Sequence, residues 1–397
     1  MRSRTRATIR LTAAASATLV AVALGASPAA AAPLPASVPT DAAAGELLSV
    51  RPLSSELWVP GAAQAVALEY TTTDAFGSPA TSTGTVFLPP GTAPAGGWPV
   101  ISWAHGTSGL ADACAPSVSG PAAPQRDLPY LANWIDNGYA IVASDYAGLG
   151  TPGLHAYLDG RTTAHNVVDM VAAGRNYTST LPAGQQLSSS WAAVGQSQGG
   201  GAAIYTARYA TEFGGPELDY RGAVGTGTPA YIERLLEIGG PGTPPVPLTP
   251  GLTAYVSYIV AALRYAHPEL GIDTILTPTG AEYAALAESE CILDFEEQLR
   301  GVSLGDFFTA PLTSLPNFQS TVAHYMAMPE SGFDKPFFMG HGALDTDVPY
   351  PTTALYAARL TENGQPVTFK TYPGDHSATL TASPPDALAF LDRLFGR

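Results

Sequence analysis

One serine in this sequence has neighbours that suit a nucleophile. Ser197 lies in the stretch GQSQG, with Gly195 two residues before it and Gly199 two residues after it. A serine on a sharp turn from strand to helix needs very small neighbours, because its backbone is strained and the two elements come close together. An apolar run precedes this stretch and a run of small residues follows it. The pattern predicts a nucleophile at a strand-to-helix corner; an ordinary turn is the alternative.

His376 is the histidine best placed to act as the base for this serine. Histidine is the usual base near neutral pH, and in such an arrangement the acid and then the histidine follow the serine along the chain. His376 lies in a loop directly after the last predicted strand. His267 and His324 fall in or beside a segment of different composition, and His341 leaves little room for an acid before it. A surface-loop histidine is the alternative interpretation.

The acid is expected in the stretch HGALDTDVPY, which follows a predicted strand and holds Asp345 and Asp347. Asp345 is preferred because it comes first after the strand and the turn at Gly342. Its role would be to hold the imidazole tautomer and to stabilise the imidazolium. Asp347 remains the alternative. Asp375 adjoins the histidine in sequence, so its side chain should point elsewhere.

Two backbone N–H groups are candidates to stabilise a tetrahedral intermediate. One belongs to Gln198, the residue after the nucleophile. The other belongs to Thr107, in the loop HGTSG after the apolar run WPVISWA, where Gly106 lets the backbone turn. An ordinary glycine turn is the alternative for this loop.

The surrounding pattern predicts an α/β fold with a mostly parallel central sheet and helices on both faces, because apolar strand-like runs alternate with amphipathic helical runs. In such sheets the site lies at the carboxyl ends of the strands. Two runs near the start of the fold, in which apolar and polar residues alternate, predict an opening β-hairpin, meaning one that comes first along the chain. The predicted strands cover residues 65–73, 80–88, 98–106, 139–146, 190–195, 221–227, 335–340 and 366–372, and the predicted helices cover 125–138, 161–177, 198–210, 351–364 and 384–395.

The alternation stops near Pro229 and resumes near residue 335, which predicts a largely helical insertion over about 230–320. Its run LTAYVSYIVAALRYAHP has too few polar residues for a free surface helix. We expect this helix either to form part of a second small core or to serve as a lid over an acyl pocket. In the second case Ile259 and Leu263 would contact the acyl chain.

Four arginines lie within the first ten residues, and an apolar segment and the small-residue stretch SPAAAAP follow them. This pattern predicts a signal peptide over residues 1–31 and a mature domain over 32–397. A membrane anchor is the alternative. Removing the signal peptide changes the net charge from −15 to about −19, and so acidic a protein should repel nucleic acid.

In an exported chain the two cysteines, Cys114 and Cys291, are expected to pair, with two free thiols as the alternative. The sequence lacks the ligand clusters of a metal site, and no cofactor is expected.

Five stretches together resemble the secretory lipase family, the α/β-hydrolases related to Candida antarctica lipase A, and especially its actinobacterial members. They are HGTSGLADACAPS, SDYAGLGTPG, GQSQGG, HGALDTDVPY and YPGDH, and they span residues 105–376. The family implies an esterase or lipase with a large cap inserted before the acid.

Carried over to this sequence, the resemblance implies a triad of Ser197, Asp345 and His376, with oxyanion positions at Thr107 and Gln198. It also implies a bridge between Cys114, near the oxyanion loop, and Cys291, in the inserted region. Asp145 and Tyr146 match the family's DYxGLG segment, and we interpret them as structural. Fungal relatives carry a second disulfide, for which this chain has no further cysteines.

These observations predict a secreted carboxylic ester hydrolase that acts through an acyl-enzyme on small-molecule or lipid esters. Polyester hydrolysis, peptide hydrolysis and acyl transfer on the same triad are alternatives, because a fold does not determine a substrate. A binding protein built on an inactive hydrolase scaffold is a further alternative, which the complete set of triad residues disfavours. We expect a monomer that can work at a lipid–water interface.

Overall fold

The structure is a computed structural model, and it describes residues 43–244 and 248–397. The predicted signal peptide over residues 1–31, with its cleavage point after Ala31, lies outside these residues. Within the described part of the chain, no helix is both long enough and apolar enough to cross a membrane.

A nine-stranded sheet in the order β1-β2-β3-β5-β4-β6-β7-β8-β9 forms the centre of the molecule. The pairs β1–β2, β2–β3 and β3–β5 are antiparallel, and every pair from β5 across to β9 is parallel. The strands are β1 (Leu47–Pro52), β2 (Gln64–Thr73), β3 (Pro79–Leu88), β4 (Trp98–Ala104), β5 (Ala140–Ser144), β6 (Leu187–Gln196), β7 (Asp219–Thr226), β8 (Phe337–Gly342) and β9 (Val367–Tyr372).

The helices connect these strands, form a separate group between β7 and β8, or follow β9. They are α1 (Pro116–Ser119), α2 (Pro124–Asp136), α3 (Gly160–Ser179), α4 (Gln198–Gly214), α5 (Ile232–Leu236), α6 (Pro250–Ala266), α7 (Pro278–Ala287), α8 (Ile292–Gln298), α9 (Phe318–Met326), α10 (Tyr350–Glu362), α11 (His376–Ala382) and α12 (Pro384–Phe395).

The predicted opening hairpin is confirmed. β2 and β3 pair from Thr73 opposite Pro79 to Gln64 opposite Leu88 without a register shift. In the connecting turn, the Asp74 carboxylate accepts hydrogen bonds from two backbone N–H groups. The pattern did not predict β1, because this edge strand is almost fully exposed and therefore lacks an apolar alternation.

Helices cover both faces of the sheet, as predicted. One apolar core lies under α3, α4 and α10, and a second lies under α2, α11 and α12. Because β4 to β9 are parallel, their carboxyl ends meet at one edge of the sheet. The loop after β4, the β6–α4 corner and the segments after β8 and β9 all begin at this edge, which brings the candidate site residues into one region.

Five helices, α5 to α9, lie between β7 and β8 and share a third apolar core. In α6, Ile259 and Leu263 are both fully buried, in agreement with the expectation that this apolar helix is not a free surface helix. The third core also includes Leu110 and Tyr157, which come from the loops after β4 and β5. The inserted helices therefore pack directly on the loops that border the carboxyl edge of the sheet.

Candidate active site

Ser197 occupies a strained corner between β6 and α4. Its φ of 60° and ψ of −125° lie in a region that residues with a side chain rarely adopt, at a cost of about 1–3 kcal/mol. Gly195 and Gly199 make the corner possible: a Cβ on the first would overlap the carbonyl oxygen of the second, and a Cβ on Gly199 would overlap that of Ala104. The serine N–H donates to the Thr226 carbonyl at 2.9 Å, which fixes the corner to β7.

Asp345 and His376 form a buried hydrogen-bonded pair beside this corner. Nδ1 of His376 lies 2.7 Å from Oδ2 of Asp345. The expectation that His376 lies in a loop is wrong: it is the first residue of α11. The Asp375 carboxylate caps this helix by accepting from the Ala378 N–H at 2.8 Å, so the side chain of Asp375 does point away from the pair.

The Asp345 carboxylate is held from several sides. Its Oδ1 accepts from the N–H groups of Asp347 at 3.0 Å and Val348 at 2.8 Å, and its Oδ2 also lies 3.2 Å from Nε2 of His341. Burial alone would raise the pKa of Asp345, but hydrogen bonds from His341, His376 and the backbone outweigh burial and hold the pKa well below its usual value. The carboxylate therefore stays ionised throughout the neutral range.

The two acids named from the sequence occupy different places. Asp345 contacts the imidazole, whereas Asp347 borders a cavity, where burial raises the pKa of its carboxyl group. His341, which we set aside as a base, is completely buried, and its Nε2 also donates to the Val348 carbonyl at 3.0 Å. The structure thus places His341 behind the acid rather than beside the serine.

Gln196, which the sequence analysis did not single out, joins the serine corner to the histidine. Its side-chain amide donates to the His376 carbonyl oxygen at 3.1 Å. Gly227, at the end of β7, packs against the imidazole ring so closely that a Cβ there would lie 2.7 Å from Cε1. Nε2 of His376 is buried and has no hydrogen-bond partner within residues 43–244 and 248–397. This nitrogen is the one that a base needs to keep available.

The two predicted oxyanion donors border the serine on different sides. Gln198 is the first residue of α4, so its N–H is one of the donors that a helix leaves without an internal partner. Gly106, the neighbour of Thr107, approaches the serine from the loop after β4: a Cβ on this glycine would lie 3.6 Å from the Ser197 Cβ. No described residue accepts a backbone hydrogen bond from Thr107 or Gln198.

Two residues that sequence analysis missed contact the side chains of these candidates. Nε2 of His155 lies 2.8 Å from the Gln198 amide nitrogen, and the Tyr157 hydroxyl lies 2.6 Å from Thr107 Oγ1. Both come from the loop that follows β5, in the continuation of the DYxGLG segment. Their position in that segment is the one signal that sequence offers for them.

Asp145 and Tyr146 lie behind the loop after β4 and do not border the cavity. The Asp145 carboxylate accepts from Thr83 Oγ1 at 2.7 Å and from the Ser117 N–H at 2.9 Å. The Tyr146 hydroxyl donates to the His105 carbonyl at 3.0 Å. These buried contacts agree with a structural role for both residues.

A cavity of about 300 Å³ opens directly onto Ser197 and Gln198. Its wall is almost entirely apolar and comes mainly from α5, α6 and the segment around Phe308. Of the two α6 residues expected to contact an acyl chain, Ile259 borders the cavity. Leu263 does not, because it faces the core shared by the inserted helices. Other apolar residues in the wall are Leu158, Ile232, Leu235, Leu236, Ile238, Leu248, Leu252, Tyr255, Val256, Leu304 and Leu312.

A disulfide joins Cys114 to Cys291 across a sequence separation of 177 residues. Next to it, the Ile292 N–H donates to the Ser108 carbonyl at 2.9 Å. The bridge therefore links the loop after β4, which contains Thr107, to the start of α8. Within the described ranges, no group of three or more His, Cys, Asp or Glu side chains is placed to hold a metal ion.

Comparison with known proteins agrees with the resemblance drawn from the sequence motifs. Residues 117–239 match the secretory lipase family. No curated protein sequence matches the chain. Solved structures match it over most of its length, but their sequence identities are low, so these matches show the fold alone.

Candida antarctica lipase A in its closed state has a TM-score of 0.73 and 21% identity, with 89% of this chain and 83% of that one covered. The rice cell wall degrading esterase LipA from Xanthomonas oryzae has a TM-score of 0.70 and 20% identity, with 89% of this chain and 98% of that one covered. A putative hydrolase of Legionella pneumophila has a TM-score of 0.72 and 20% identity, with 88% of this chain and 98% of that one covered. The chain therefore has the α/β-hydrolase fold, and its match to the secretory lipase family, together with its lipase and esterase neighbours, supports an ester hydrolase.

Proposed function

We propose that this chain is a secreted, serine-dependent carboxylic ester hydrolase that acts on neutral acyl esters of the triacylglycerol type. One arrangement carries the proposal: a strained serine at the wall of an apolar cavity, beside a buried carboxylate–histidine pair. The strain at Ser197 costs stability, and such strain persists mainly at sites where it serves function.

In this mechanism His376 Nε2 takes the proton of Ser197 as the hydroxyl oxygen attacks the ester carbonyl carbon. Asp345 fixes the imidazole through Nδ1 and stabilises the imidazolium that forms. The N–H groups of Thr107 and Gln198 stabilise the developing oxyanion. The imidazolium then protonates the departing alcohol, which leaves an acyl-enzyme. A water molecule, deprotonated by His376, hydrolyses that acyl-enzyme and regenerates the serine.

The cavity supports an apolar acyl chain as the group bound beside the serine. Each methylene that moves from water into such a cavity contributes about 0.8 kcal/mol, so six additional methylenes contribute up to about 5 kcal/mol before ordering costs. A chain with a net charge of −15 has no electrostatic preference for anionic substrates. Medium-length neutral esters therefore fit the site better than acetate or anionic esters.

The residues at the edge of the cavity support contact with lipid. Leu235 and Ile238 border the cavity and are also 41% and 67% exposed, respectively. Exposed apolar side chains beside an acyl cavity can contact a lipid–water interface without a large change in conformation. Secretion is supported by the disulfide, by the family match and by the signal peptide predicted from the sequence.

Hydrolysis of nitrophenyl esters with acyl chains of two to eighteen carbons tests the proposal, with a peptide anilide as control. We expect turnover of the esters alone, a specificity constant that rises from acetate to octanoate, and labelling of Ser197 by a fluorophosphonate. Ser197→Ala and His376→Ala should each lower kcat by at least about 1000-fold, and the double variant should lose little more because the triad acts as a unit. Ester turnover that survives in Ser197→Ala would disprove the assignment, and anilide turnover would favour a peptidase.

A further inference from the structure

The side chains of both oxyanion candidates are bound by one short segment. Thr107 Oγ1 lies 2.6 Å from the Tyr157 hydroxyl, and the Gln198 amide nitrogen lies 2.8 Å from His155 Nε2. Thr107 follows β4 and Gln198 begins α4, so the two residues lie far apart in sequence. The segment from His155 to Tyr157 connects them through side chains two positions apart.

Burial makes these two hydrogen bonds effective constraints. His155, Tyr157 and Gln198 are at most 5% exposed and Thr107 is half-buried, so water has little access to these two hydrogen bonds. Burial lowers the pKa of His155 to about 3, and the neighbouring His105 acts in the same direction. The imidazole is therefore neutral in the working pH range, which leaves one ring nitrogen free to accept the Gln198 amide N–H.

Aromatic contacts fix the segment from behind. The His155 ring stacks on Tyr146 at 5.4 Å, and Tyr146 stacks on His105 at 4.3 Å. Because His105 lies two residues before Thr107, this stack connects His155 to the same loop that the Tyr157 hydroxyl contacts. On its other side the Tyr157 ring borders the cavity and packs against Tyr258 of α6 at 5.7 Å.

We propose that His155 and Tyr157 are positioning residues that hold the backbone N–H groups of Gln198 and Thr107 where the oxyanion forms. This inference rests on the proposed function. It assigns no bond from either residue to the substrate: each acts through the side chain of an oxyanion residue. Removal of either hydrogen bond should therefore weaken binding of the transition state and leave binding of the ground-state ester unchanged.

The Thr107–Tyr157 pair gives the sharper test, because Tyr157→Phe and Thr107→Val each delete one end of one hydrogen bond while preserving shape and the Thr107 N–H. On an octanoate ester we expect each variant to lower kcat about tenfold, below the roughly 100-fold lost when an oxyanion donor itself is removed. KM should stay within twofold. Affinity for a boronic acid that mimics the tetrahedral intermediate should fall by the same factor as kcat. The double variant should be no slower than either single variant, because both delete the same bond.

Tyr258→Phe is the matched control. It removes a buried hydroxyl from the adjacent ring, where that hydroxyl donates to the Glu290 carbonyl at 3.0 Å in the inserted segment. This control should leave kcat and boronic acid affinity unchanged. His155→Phe, which keeps a stacking ring but cannot accept from Gln198, tests the second hydrogen bond in the same assays.

Three outcomes would overturn the inference: unchanged kcat in both single variants, a rise in KM without a fall in kcat, or losses that add in the double variant. If Tyr157→Phe does not fold, Thr107→Val tests the same bond from its other end. Failure of the proposed function would be recognised separately, because wild type would then not hydrolyse esters or Ser197→Ala would remain active.

Discussion

The side chain of Gln196 donates a hydrogen bond to the backbone carbonyl of His376, so the residue before the candidate nucleophile holds the residue that carries the candidate base. Gln196 is completely buried, and its Oε1 has no partner among the residues that the structure describes. A buried amide oxygen without a partner costs free energy of folding. This glutamine therefore adds little to stability, which suggests that its value lies in the position of His376.

Gln196→Leu should lower kcat about tenfold while the free energy of unfolding stays the same or rises. The lost hydrogen bond is worth about 1 kcal/mol, and the unpaired Oε1 disappears with it. Ester kinetics and urea unfolding measure the two effects. Gln186→Leu is a suitable control, since its amide also donates to backbone carbonyls, at 2.9 and 2.8 Å, but in a surface loop after α3. Equal kinetic effects of the two variants would rule out a positioning role for Gln196.

Asp345→Asn should reduce kcat by about 10⁴-fold, the size of loss expected when the acid no longer fixes the histidine tautomer. Asp347→Asn should change kcat by less than about tenfold, because the Asp347 contact to this network is a backbone N–H that the substitution keeps. Kinetics of the two matched variants on one ester measure the difference. A reversed order would identify Asp347 as the acid.

The stability contributed by Asp345 should depend on pH in the acid range. Its pKa in the folded protein lies below its unfolded value of about 3.9, so its stabilisation is fully present above that value and is lost as pH falls toward the folded pKa. The difference in unfolding free energy between wild type and Asp345→Asn should therefore be constant from pH 5 to 7, as measured by urea titrations at each pH. It should shrink below about pH 4. A difference that grows on acidification would contradict the ionised, hydrogen-bonded state.

The bridge between Cys114 and Cys291 should stabilise the protein and keep the loop after β4 in place. Loss of such a bridge typically costs about 2–5 kcal/mol. Cys114→Ser/Cys291→Ser should lower the free energy of unfolding by this amount and lower kcat, because Ser108 and the neighbouring Thr107 lose their covalent link to α8. Mass spectrometry of a non-reduced digest checks the pairing in the purified protein. Two free thiols there would contradict the bridge.

Local patterns in the sequence were enough to predict the strands of the parallel half of the sheet and most of the helices that cover it. β4 and β5 are apolar on both faces, and α2 ends where Gly138 has a φ of 73°. The exposed edge strand β1 has no such pattern. Helix α11 was missed altogether because Pro373 and Gly374 resemble a loop, whereas the cap at Asp375 begins a helix immediately after them.

Contacts around the candidate site could be predicted only in part. The placement of Ser197, Asp345 and His376 at one edge of the sheet follows from the element pattern, since each residue follows a parallel strand. The contacts of Gln196, His341, His155 and Tyr157 join distant segments through side-chain directions that no local pattern encodes. Leu263 illustrates the same limit: one turn along α6 from Ile259, it faces the core of the inserted helices instead of the cavity.

That difference between Ile259 and Leu263 leads to a prediction about acyl specificity. Ile259→Asn places a polar group in the wall of the apolar cavity, so it should lower kcat/KM for octanoate at least about tenfold more than for acetate, because a buried polar group without a partner costs about 1–3 kcal/mol. Nitrophenyl acetate and octanoate kinetics measure the ratio. Leu263→Ala is the control: it should lower the free energy of unfolding by about 2–5 kcal/mol through a cavity in the core, yet leave the ratio unchanged. If Leu263→Ala changes the ratio as much as Ile259→Asn does, α6 acts only through the stability of the inserted helices, and the cavity is not the acyl site.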